Sequence, residues 1–267
     1  MRAKEGIMSE VVLLETLGAT RVVIIHRPEA RNALTRPVLR EMAGALDAAA
    51  RDGSVRCVVI AGAGDHFCAG ADLRQNIADD PQMMDHVDDY LDDFHGLIKA
   101  VVRCQKPTIA MMDGAAVGFG ADLAFACDLR IASTRAYAQE KFVRIGLMPD
   151  GGGTFWLPRL LGTARAMQMI LLAEKVTAPE LHRLGVIARV VEPDALRRAT
   201  LDIAREIEAG PPLAYAEIKR AMYASWGNVE DALRRERAGQ LKLLHSADFM
   251  EGVSAWTQKR EPRFEGK

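Results

Sequence analysis

The most constraining feature of this sequence is a series of short apolar runs that alternate with longer amphipathic segments. Residues 57–61 form a continuous apolar run of strand length, and residues 108–112 and 129–132 also read as strands. Continuous apolar runs are typical of strands that are covered on both faces of a parallel sheet. Between them, residues 35–51 have apolar side chains at helical spacing, and residues 83–103 read as a long helix. Alternating strands and helices predict a layered α/β domain.

The two ends of the chain depart from this pattern. Residues 11–15 and 21–25 flank a turn at Gly18 and predict a β-hairpin. Residues 1–10 are predicted to be a flexible N-terminus, and the charges at both of their ends argue against a signal peptide. After residue 160 the strand signal fades and helical patterns dominate. We therefore divide the chain into an α/β core over residues 11–195 and a helical C-terminal region over residues 196–267.

Charge and cysteine content exclude several classes of protein. The 267 residues carry 35 Lys and Arg against 36 Asp and Glu, so no global field attracts nucleic acid or an anionic membrane. The longest stretch without one of these charges has nine residues, whereas a membrane-spanning helix needs about 20. The four cysteines form no C-x-x-C pair and the histidines no H-x-x-H motif. These features favour free thiols in a cytoplasmic protein and argue against a metal site.

Two glycine-rich segments mark places where a predicted strand gives way to a helix. They are AGAGDHFCAGADL at residues 61–73 and DGAAVGFGADL at residues 113–123. Glycine allows the backbone to approach a ligand closely, and the free N–H groups of a helix N-terminus attract negative charge. Each segment is therefore either a tight turn, with Asp72 or Asp122 beside a helix N-terminus, or a donor of one N–H group to an anionic oxygen.

With three further blocks, these segments resemble the crotonase (enoyl-CoA hydratase/isomerase) superfamily. The other blocks are HRPEARNAL at residues 26–34, IGLMPDGGGTFWLPRLLG at residues 145–162 and EGVSAWTQKREPRF at residues 251–264. The resemblance implies a ClpP/crotonase-like α/β fold of repeated ββα units, with a helical C-terminal region used in trimerisation. It also implies an acyl-CoA thioester as substrate, assembly as a trimer or hexamer, and no cofactor other than the coenzyme A that the substrate carries.

By position in these blocks, the resemblance places two oxyanion-hole amides at Ala71 and Phe119. Relatives often have glycine at the second position, and we expect the Phe119 ring to point into the acyl pocket. Two such N–H donors stabilise the charge on a thioester oxygen when a neighbouring carbon loses a proton, and each contributes about 2.7–4 kcal/mol. The implied substrate-binding residues are Arg31, Ala33, Ala69, Asp72, Leu73, Arg74, Gly120, Phe142, Pro149 and Lys259.

The basic residues in that set have two interpretations. Arg31 and Arg74 are candidate partners of the CoA phosphates, and Lys259 matches a family lysine that reaches the CoA of a neighbouring subunit. A solvated surface charge explains each of them equally well.

The carboxylates at the site separate the reactions of the family. The two glutamates of the hydratases correspond to Asp122 and to Phe142, and a phenyl ring cannot transfer a proton. Glu140 lies two residues away, where a surface salt bridge is its simplest explanation. Asp150 stands where many hydratases have glycine and where several isomerases and dehalogenases of the superfamily have a catalytic aspartate. The alternative is that Asp150 only caps the helix that follows.

A single carboxylate in an apolar surrounding suits isomerisation, because one base can remove a proton from one carbon and return it to another. The pattern resembles most the branch of 1,2-epoxyphenylacetyl-CoA isomerase and Δ3,Δ2-enoyl-CoA isomerase. We therefore predict an acyl-CoA isomerase with Asp150 as the base and Asp122 as a helper. The alternatives are a 2-enoyl-CoA hydratase that uses Asp122 with a second acid such as Glu140, and a non-catalytic acyl-CoA-binding subunit.

Overall fold

The computed structural model describes residues 11–210, 212–225, 229–260 and 262, which it arranges around a six-stranded and a three-stranded sheet. The strands of the larger sheet are β1 (Val12–Leu17), β2 (Thr20–Ile25), β3 (Cys57–Gly62), β4 (Thr108–Met112), β6 (Leu129–Ser133) and β9 (Arg189–Val191). Those of the smaller sheet are β5 (Ala115–Val117), β7 (Tyr137–Gln139) and β8 (Lys175–Thr177). β1 and β2 form the predicted antiparallel hairpin, and β2, β3, β4, β6 and β9 run parallel.

Eleven α-helices connect and cover these strands in the described part of the chain. They are α1 (Arg36–Arg51), α2 (Leu73–Asp79), α3 (Val87–Arg103), α4 (Phe119–Ala126), α5 (Gly153–Leu161), α6 (Thr163–Leu171), α7 (Ala178–Arg183), α8 (Pro193–Glu208), α9 (Pro212–Ser225), α10 (Val229–Leu244) and α11 (Ala247–Thr257). Single 3-10 turns span Pro28–Ala30, Met83–His86 and Phe142–Ile145. The helices predicted over residues 35–51 and 83–103 are present, the second with a 3-10 first turn.

The large sheet has two apolar faces, because successive side chains of a strand point in opposite directions. Val58 and Ile60 of β3 face a large core cluster that the side chains of α1 and α3 complete. Cys57 and Val59 face the opposite side, where α8 covers the sheet through residues such as Leu196. Because both faces are covered, the central strands carry uninterrupted apolar runs.

The four three-residue strands β5, β7, β8 and β9 were not predicted, because three residues are too few to show an alternating pattern. Two of them, β8 and β9, lie in the part of the chain that was expected to be mainly helical. The division predicted after residue 195 falls inside α8, which begins at Pro193. The predicted flexible N-terminus lies outside the described residues.

Two expectations about composition can be compared with the structure. All four cysteines are buried free thiols, as predicted. No helix in the described ranges is long and apolar enough to cross a membrane.

The C-terminal helices are docked on the α/β core by specific contacts. Lys219 of α9 forms an ion pair of 2.5 Å with Asp128, which also accepts a hydrogen bond of 3.0 Å from the Tyr223 hydroxyl. Gly252 of α11 lies so close to the 3-10 turn at Phe142–Ile145 that a Cβ atom on it would be 2.5 Å from the Cα of Ile145. These contacts bring α9 against the segment between α4 and β6, and α11 against the 3-10 turn that follows β7.

Candidate active site

The two glycine-rich segments follow β3 and β4, which are neighbouring parallel strands, so both leave the large sheet at its carboxyl edge. A parallel bridge between Cys68 and Ala116 joins them, and the Val117 amide donates to the Cys68 oxygen at 2.9 Å. A second bridge joins Leu34, just before α1, to Ala71. Three loops from different parts of the chain therefore lie side by side at this edge.

These bridges bring the backbone amides of Ala71 and Phe119 close to each other. A Cβ atom on Gly70 would lie 3.5 Å from the Phe119 nitrogen and 2.6 Å from the Val117 oxygen. Neither amide donates a hydrogen bond to any residue that the structure describes. The bridge at Ala71 uses the carbonyl before it and the amide after it, and Phe119 is the first residue of α4. Two free N–H groups from two loops are what an oxyanion hole requires.

Gly118 and α4 direct the second amide. Gly118 has φ 54° and ψ −127°, which is accessible to glycine and strained for other residues, and its own amide donates to the Gln139 oxygen at 2.8 Å. All eight residues of α4 are buried. At its other end the buried Arg130 guanidinium donates to the Cys127 oxygen at 2.6 Å. The free N-terminus of α4, with its partial positive charge, therefore belongs to the site.

The Phe119 ring takes no part in lining an acyl pocket. Its residue is 1% exposed, and the ring meets that of Phe94 edge-on, with 4.7 Å between the ring centroids. Another edge of the ring lies against the backbone of Gly151. The expectation that this ring points into the acyl pocket is therefore wrong, because the core holds it. The half-buried Phe142 ring lies beside Gly118 instead, and a Cβ atom on Gly118 would be 3.6 Å from that ring.

Asp122 is completely buried, and the turn before α5 surrounds its carboxylate. The Gly151 amide donates to Oδ2 at 3.0 Å, and a Cβ atom on Gly153 would lie 2.5 Å from Oδ1. A negative group is stabilised there by the N-terminus of α5. Asp122 therefore joins α4 to this turn, whatever part it has in proton transfer.

Asp150 lies on the same turn, with 8% of its surface exposed. Gln240 of α10 donates from Nε2 to Oδ2 at 2.7 Å, and among the described residues Oδ1 has no hydrogen-bond partner. Burial raises the pKa of Asp150 from 3.8 to about 7, and the Gln240 hydrogen bond acts in the opposite direction. Gly152 caps α5, without a side-chain hydrogen bond, so the interpretation of Asp150 as a helix cap is wrong.

Helix α3 supplies much of the surrounding of Asp150. The backbone of Asp150 lies beside the ring of His95, and burial lowers the pKa of this imidazole to about 4, so it is neutral at pH 7. Tyr90 accepts a hydrogen bond from Asn76 of α2. The Tyr90 hydroxyl is near Asp150, because the charge of Asp150 contributes, after burial, to raising the pKa of Tyr90. No Lys or Arg of the described ranges forms an ion pair with Asp150. Without a cationic partner among the described residues, burial is the main influence on the pKa of this carboxyl.

Several of the predicted substrate-binding residues have structural contacts of their own. Asp72 caps α2 by accepting from the Gln75 amide at 3.0 Å, and it pairs with Arg27 at 2.9 Å. Gly120 packs on the first glycine-rich segment, since a Cβ atom on Gly120 would be 2.3 Å from the Cys68 oxygen. Ala33, Ala69 and Leu73 flank the bridges beside the two amides, and Pro149 packs against Gly153 at the start of α5.

The basic residues of the predicted set differ in position. Arg31 and Arg74 are exposed, and neither forms an ion pair with a described residue. The Arg31 carbonyl accepts from the Ala69 amide at 3.0 Å, which holds its backbone beside the first loop. Lys259 is exposed just after α11, and no hydrogen bond or ion pair of its side chain with the described site residues is present. Contact with a neighbouring subunit's substrate stays a prediction for Lys259.

Glu140 does not lie where it was expected. It is 1% exposed, so the interpretation as a surface salt bridge is wrong. No three His, Cys, Asp or Glu side chains of the described part form a group that could hold a metal ion.

Known proteins of similar sequence bear on this geometry. The profile of the family described as enoyl-CoA hydratase/isomerase matches residues 16–267. The chain belongs to this family. A probable enoyl-CoA hydratase of Rhodobacter capsulatus is 40% identical over 247 residues, which are 92% of this chain and 94% of that protein. The 1,2-epoxyphenylacetyl-CoA isomerase of Escherichia coli is 34% identical over 262 residues, which are 97% of this chain and 100% of that protein.

Solved structures of the enoyl-CoA hydratase/isomerase family have the same fold. The crystal structure of an enoyl-CoA hydratase from Mycobacterium avium subsp. paratuberculosis superposes with a TM-score of 0.87 at 34% identity, and covers 96% of this chain and 98% of that one. These similarities confirm the crotonase resemblance and its α/β fold with a helical C-terminal region, and they identify the chain as an enzyme of this family. Its relatives are named both as hydratases and as isomerases.

Three side chains around this family's site had no place in the sequence-based prediction. Asn32 has φ 58° and donates from Nδ2 to the backbone oxygens of Ala63 and His66 at 2.8 and 2.6 Å, which joins the first loop to the segment before α1. A local signal for it exists, because asparagine tolerates the left-handed region better than most residues. Gln240 and His95 carry no such signal, since only the fold brings them to Asp150.

Proposed function

We propose that this enzyme is an acyl-CoA isomerase that moves a double bond, or rearranges the acyl group, through a thioester enolate. One observation carries the proposal: the buried carboxyl of Asp150, with its pKa raised to about 7 and its Oδ1 without a protein partner, lies one residue from Gly151. Gly151 in turn contacts Phe119, whose amide is one of the two free donors. A base and an oxyanion-binding pair therefore belong to one site.

The chemistry follows from these positions. Ionised Asp150 removes a proton from the α or γ carbon of the acyl group, and the electron pair moves towards the thioester carbonyl. The oxygen that becomes negative accepts hydrogen bonds from the amides of Ala71 and Phe119. Asp150, now neutral, returns the same proton to another carbon, and the double bond is left in its new position. A carboxyl with a pKa near 7 can perform both transfers at neutral pH.

The second candidate is a 2-enoyl-CoA hydratase, which the 40% identity with a probable enoyl-CoA hydratase favours. Hydration needs two groups that hold a water and move its protons. The pair proposed for that role is Asp122 with Glu140, which is also buried, because Phe142, at the position of the second hydratase glutamate, cannot transfer a proton.

The test compares Asp150→Asn with the unaltered enzyme on a 3-enoyl-CoA and on crotonyl-CoA. We expect double-bond migration to fall by about 10²–10⁴-fold in the variant, because general acid–base catalysis contributes that much. Near-normal migration in the variant would reject Asp150 as the base. Faster hydration of crotonyl-CoA than migration in the unaltered enzyme would establish the hydratase, and tight binding without turnover would indicate a binding subunit.

We also propose that the enzyme assembles as a trimer or hexamer and that Arg31 and Arg74 bind phosphates of CoA. Both guanidinium groups are exposed near the loops that hold the free amides, without an ion pair to a described residue. Charge-assisted hydrogen bonds from arginine suit phosphate geometry.

A further inference from the structure

Gln240 is a buried side chain that the proposed reaction does not use. It is 1% exposed, and its Nε2 donates to Asp150 Oδ2 at 2.7 Å. Its own Oε1 has no hydrogen-bond partner among the described residues. Burying an amide oxygen without a hydrogen-bond partner costs free energy. We therefore expect the one contact that Gln240 makes to have a function.

The position of Gln240 is fixed by the packing of α10. A Cβ atom on the preceding residue, Gly239, would lie 2.2 Å from the Sδ atom of Met148, two residues before Asp150. One turn earlier, Arg237 pairs with Asp88 of α3 at 2.7 Å. The helix is therefore held close to the loop of Asp150 and tied to the helix that carries His95.

We propose that Gln240 is a positioning residue, which holds Oδ2 of Asp150 and thereby makes Oδ1 the oxygen that exchanges a proton with the substrate. This inference rests on the proposed function of Asp150. A carboxylate can rotate about its last side-chain bond, so without a partner either oxygen would face the reacting carbon. With Oδ2 held by a donor, Oδ1 is the oxygen that is left without a protein partner.

The hydrogen bond also favours the ionised form of Asp150, because an amide N–H stabilises negative charge on the oxygen that accepts it. The other titratable groups near the carboxyl are Tyr90 and His95 of α3 and Asp122 of α4, which accepts from the amide after Asp150. Arg237 of α10 pairs with Asp88 and acts on the charge of His95. None of these changes when Gln240 is replaced. Removing the donor should therefore move the titration of Asp150 in one direction, towards higher pH.

The experiment is the pH dependence of kcat and kcat/KM for Gln240→Met with a 3-enoyl-CoA. Methionine keeps the length and most of the volume of glutamine but has no N–H donor. We expect kcat to fall about tenfold or more, KM to change less than threefold, and the acidic limb of kcat/KM to move up by about one pH unit. Gln240→Asn, which keeps the amide but shortens the reach, should show the same shift and replaces the first variant if that one does not fold.

The matched control is Gln168→Met on the exposed surface of α6, which should keep the kinetics and the pH profile of the unaltered enzyme. A normal pH midpoint in both Gln240 variants overturns the positioning role, even if kcat is reduced, because a purely structural loss would not move it. Activity retained in Asp150→Asn overturns the proposed function instead. The two failures are thus distinguishable.

Discussion

Asp122 of α4 and Asp150 of the turn before α5 are both buried aspartates, but their neighbours give them different properties. Asp122 accepts a hydrogen bond from the Gly151 amide at 3.0 Å and faces the N-terminus of α5. Asp150 has a neutral glutamine and the apolar interior around it, and its pKa is raised to about 7. Contrasting surroundings of this kind allow an enzyme to give two carboxyls different roles.

The raised pKa of Asp150 makes a prediction about stability. The folded protein binds this proton more tightly than the unfolded chain, so the contribution of Asp150 is fully present below pH 3.8 and is lost as the pH rises through about 7. Asn cannot ionise. We therefore expect the free energy of unfolding of Asp150→Asn, relative to the unaltered enzyme, to increase by up to about 4 kcal/mol between pH 4 and pH 8. Urea unfolding at a series of pH values measures this, and a difference that is constant with pH would contradict it.

Gly70 controls the separation of the two amides, and its replacement is a test of the oxyanion hole. It has φ 87°, and a Cβ atom on it would lie 2.6 Å from the backbone oxygen of Val117, which cannot move away cheaply. We expect Gly70→Ala to displace the amides of Ala71 or Phe119 and to lower kcat by about 10²–10³-fold. Steady-state kinetics with the best acyl-CoA substrate checks this.

Gly44 provides the control, because it is exposed on α1 and a Cβ atom there would meet nothing within 4 Å. Gly44→Ala should leave kcat unchanged and raise the free energy of unfolding by up to about 1 kcal/mol, since alanine favours a helix interior. Equal activity of the two alanine variants would contradict the role of the Ala71 and Phe119 amides in stabilising the negative oxygen.

At the scale of single elements, α4 has most influence on the site. Its N-terminus supplies the Phe119 amide, and its C-terminus lies on the Arg130 guanidinium, which donates to the backbone oxygens of Cys127 and Val186 at 2.6 and 2.7 Å. A cation at a helix C-terminus stabilises the helix dipole, and here it also satisfies buried carbonyls. Burial lowers the pKa of Arg130, although the group stays charged.

Replacement of Arg130 should therefore destabilise the element that holds the oxyanion amide. We expect Arg130→Met to lower the free energy of unfolding by about 3 kcal/mol, because several buried carbonyls lose their donor. Arg130→Lys should lie in between, since an ammonium cannot reach the same set of carbonyls. Arg198→Met, at an exposed position of α8, is the control and should change stability by less than about 0.5 kcal/mol. Chemical unfolding of the three variants decides between these outcomes, and an unaffected Arg130→Met would show that α4 does not need this cap.

At the scale of the whole molecule, the described surface has large apolar side chains concentrated in the second half of the chain. Leu171 and Leu172 at the end of α6 are 59% and 60% exposed, and Met250 and Trp256 of α11 are 61% and 53% exposed. Contiguous apolar surface marks a region that another protein covers, and these side chains are the exposed apolar groups from which such an interface would be built. They support the proposed self-association through the helical C-terminal region.

The proposed assembly predicts a molar mass of three or six times the 29.2 kDa of one chain, measured by light scattering on eluting protein. Trp256→Asp should shift the mass towards that of one chain, because a carboxylate in an apolar interface is costly to bury. Gln258, also exposed at the end of α11, serves as the control when it is replaced by Asp. A monomeric mass for the unaltered enzyme would exclude the assembly.

Features that depend on local pattern were predicted well. Each of three elements can be recognised from the apolar pattern of its own segment: the hairpin β1–β2, the buried strand β3 and the helix α1. Ala71, Phe119, Asp122 and Asp150 were chosen as candidate site residues through the motifs that surround them in sequence, and their roles stay predictions. The ring of Phe119 was placed wrongly, because the direction of a side chain depends on what packs beside it, here Phe94 of α3.

The sequence by itself determined the fold class, the two glycine loops and the positions of the candidate base and amides, since periodicity and motif spacing are properties of neighbouring residues. Only the tertiary structure decided what surrounds the base. Gln240 and His95 stand 90 and 55 positions from Asp150 in the chain, and meet it through the packing of α10 and α3. Contacts between distant segments, and the raised pKa that burial causes, arise only when the whole core has formed.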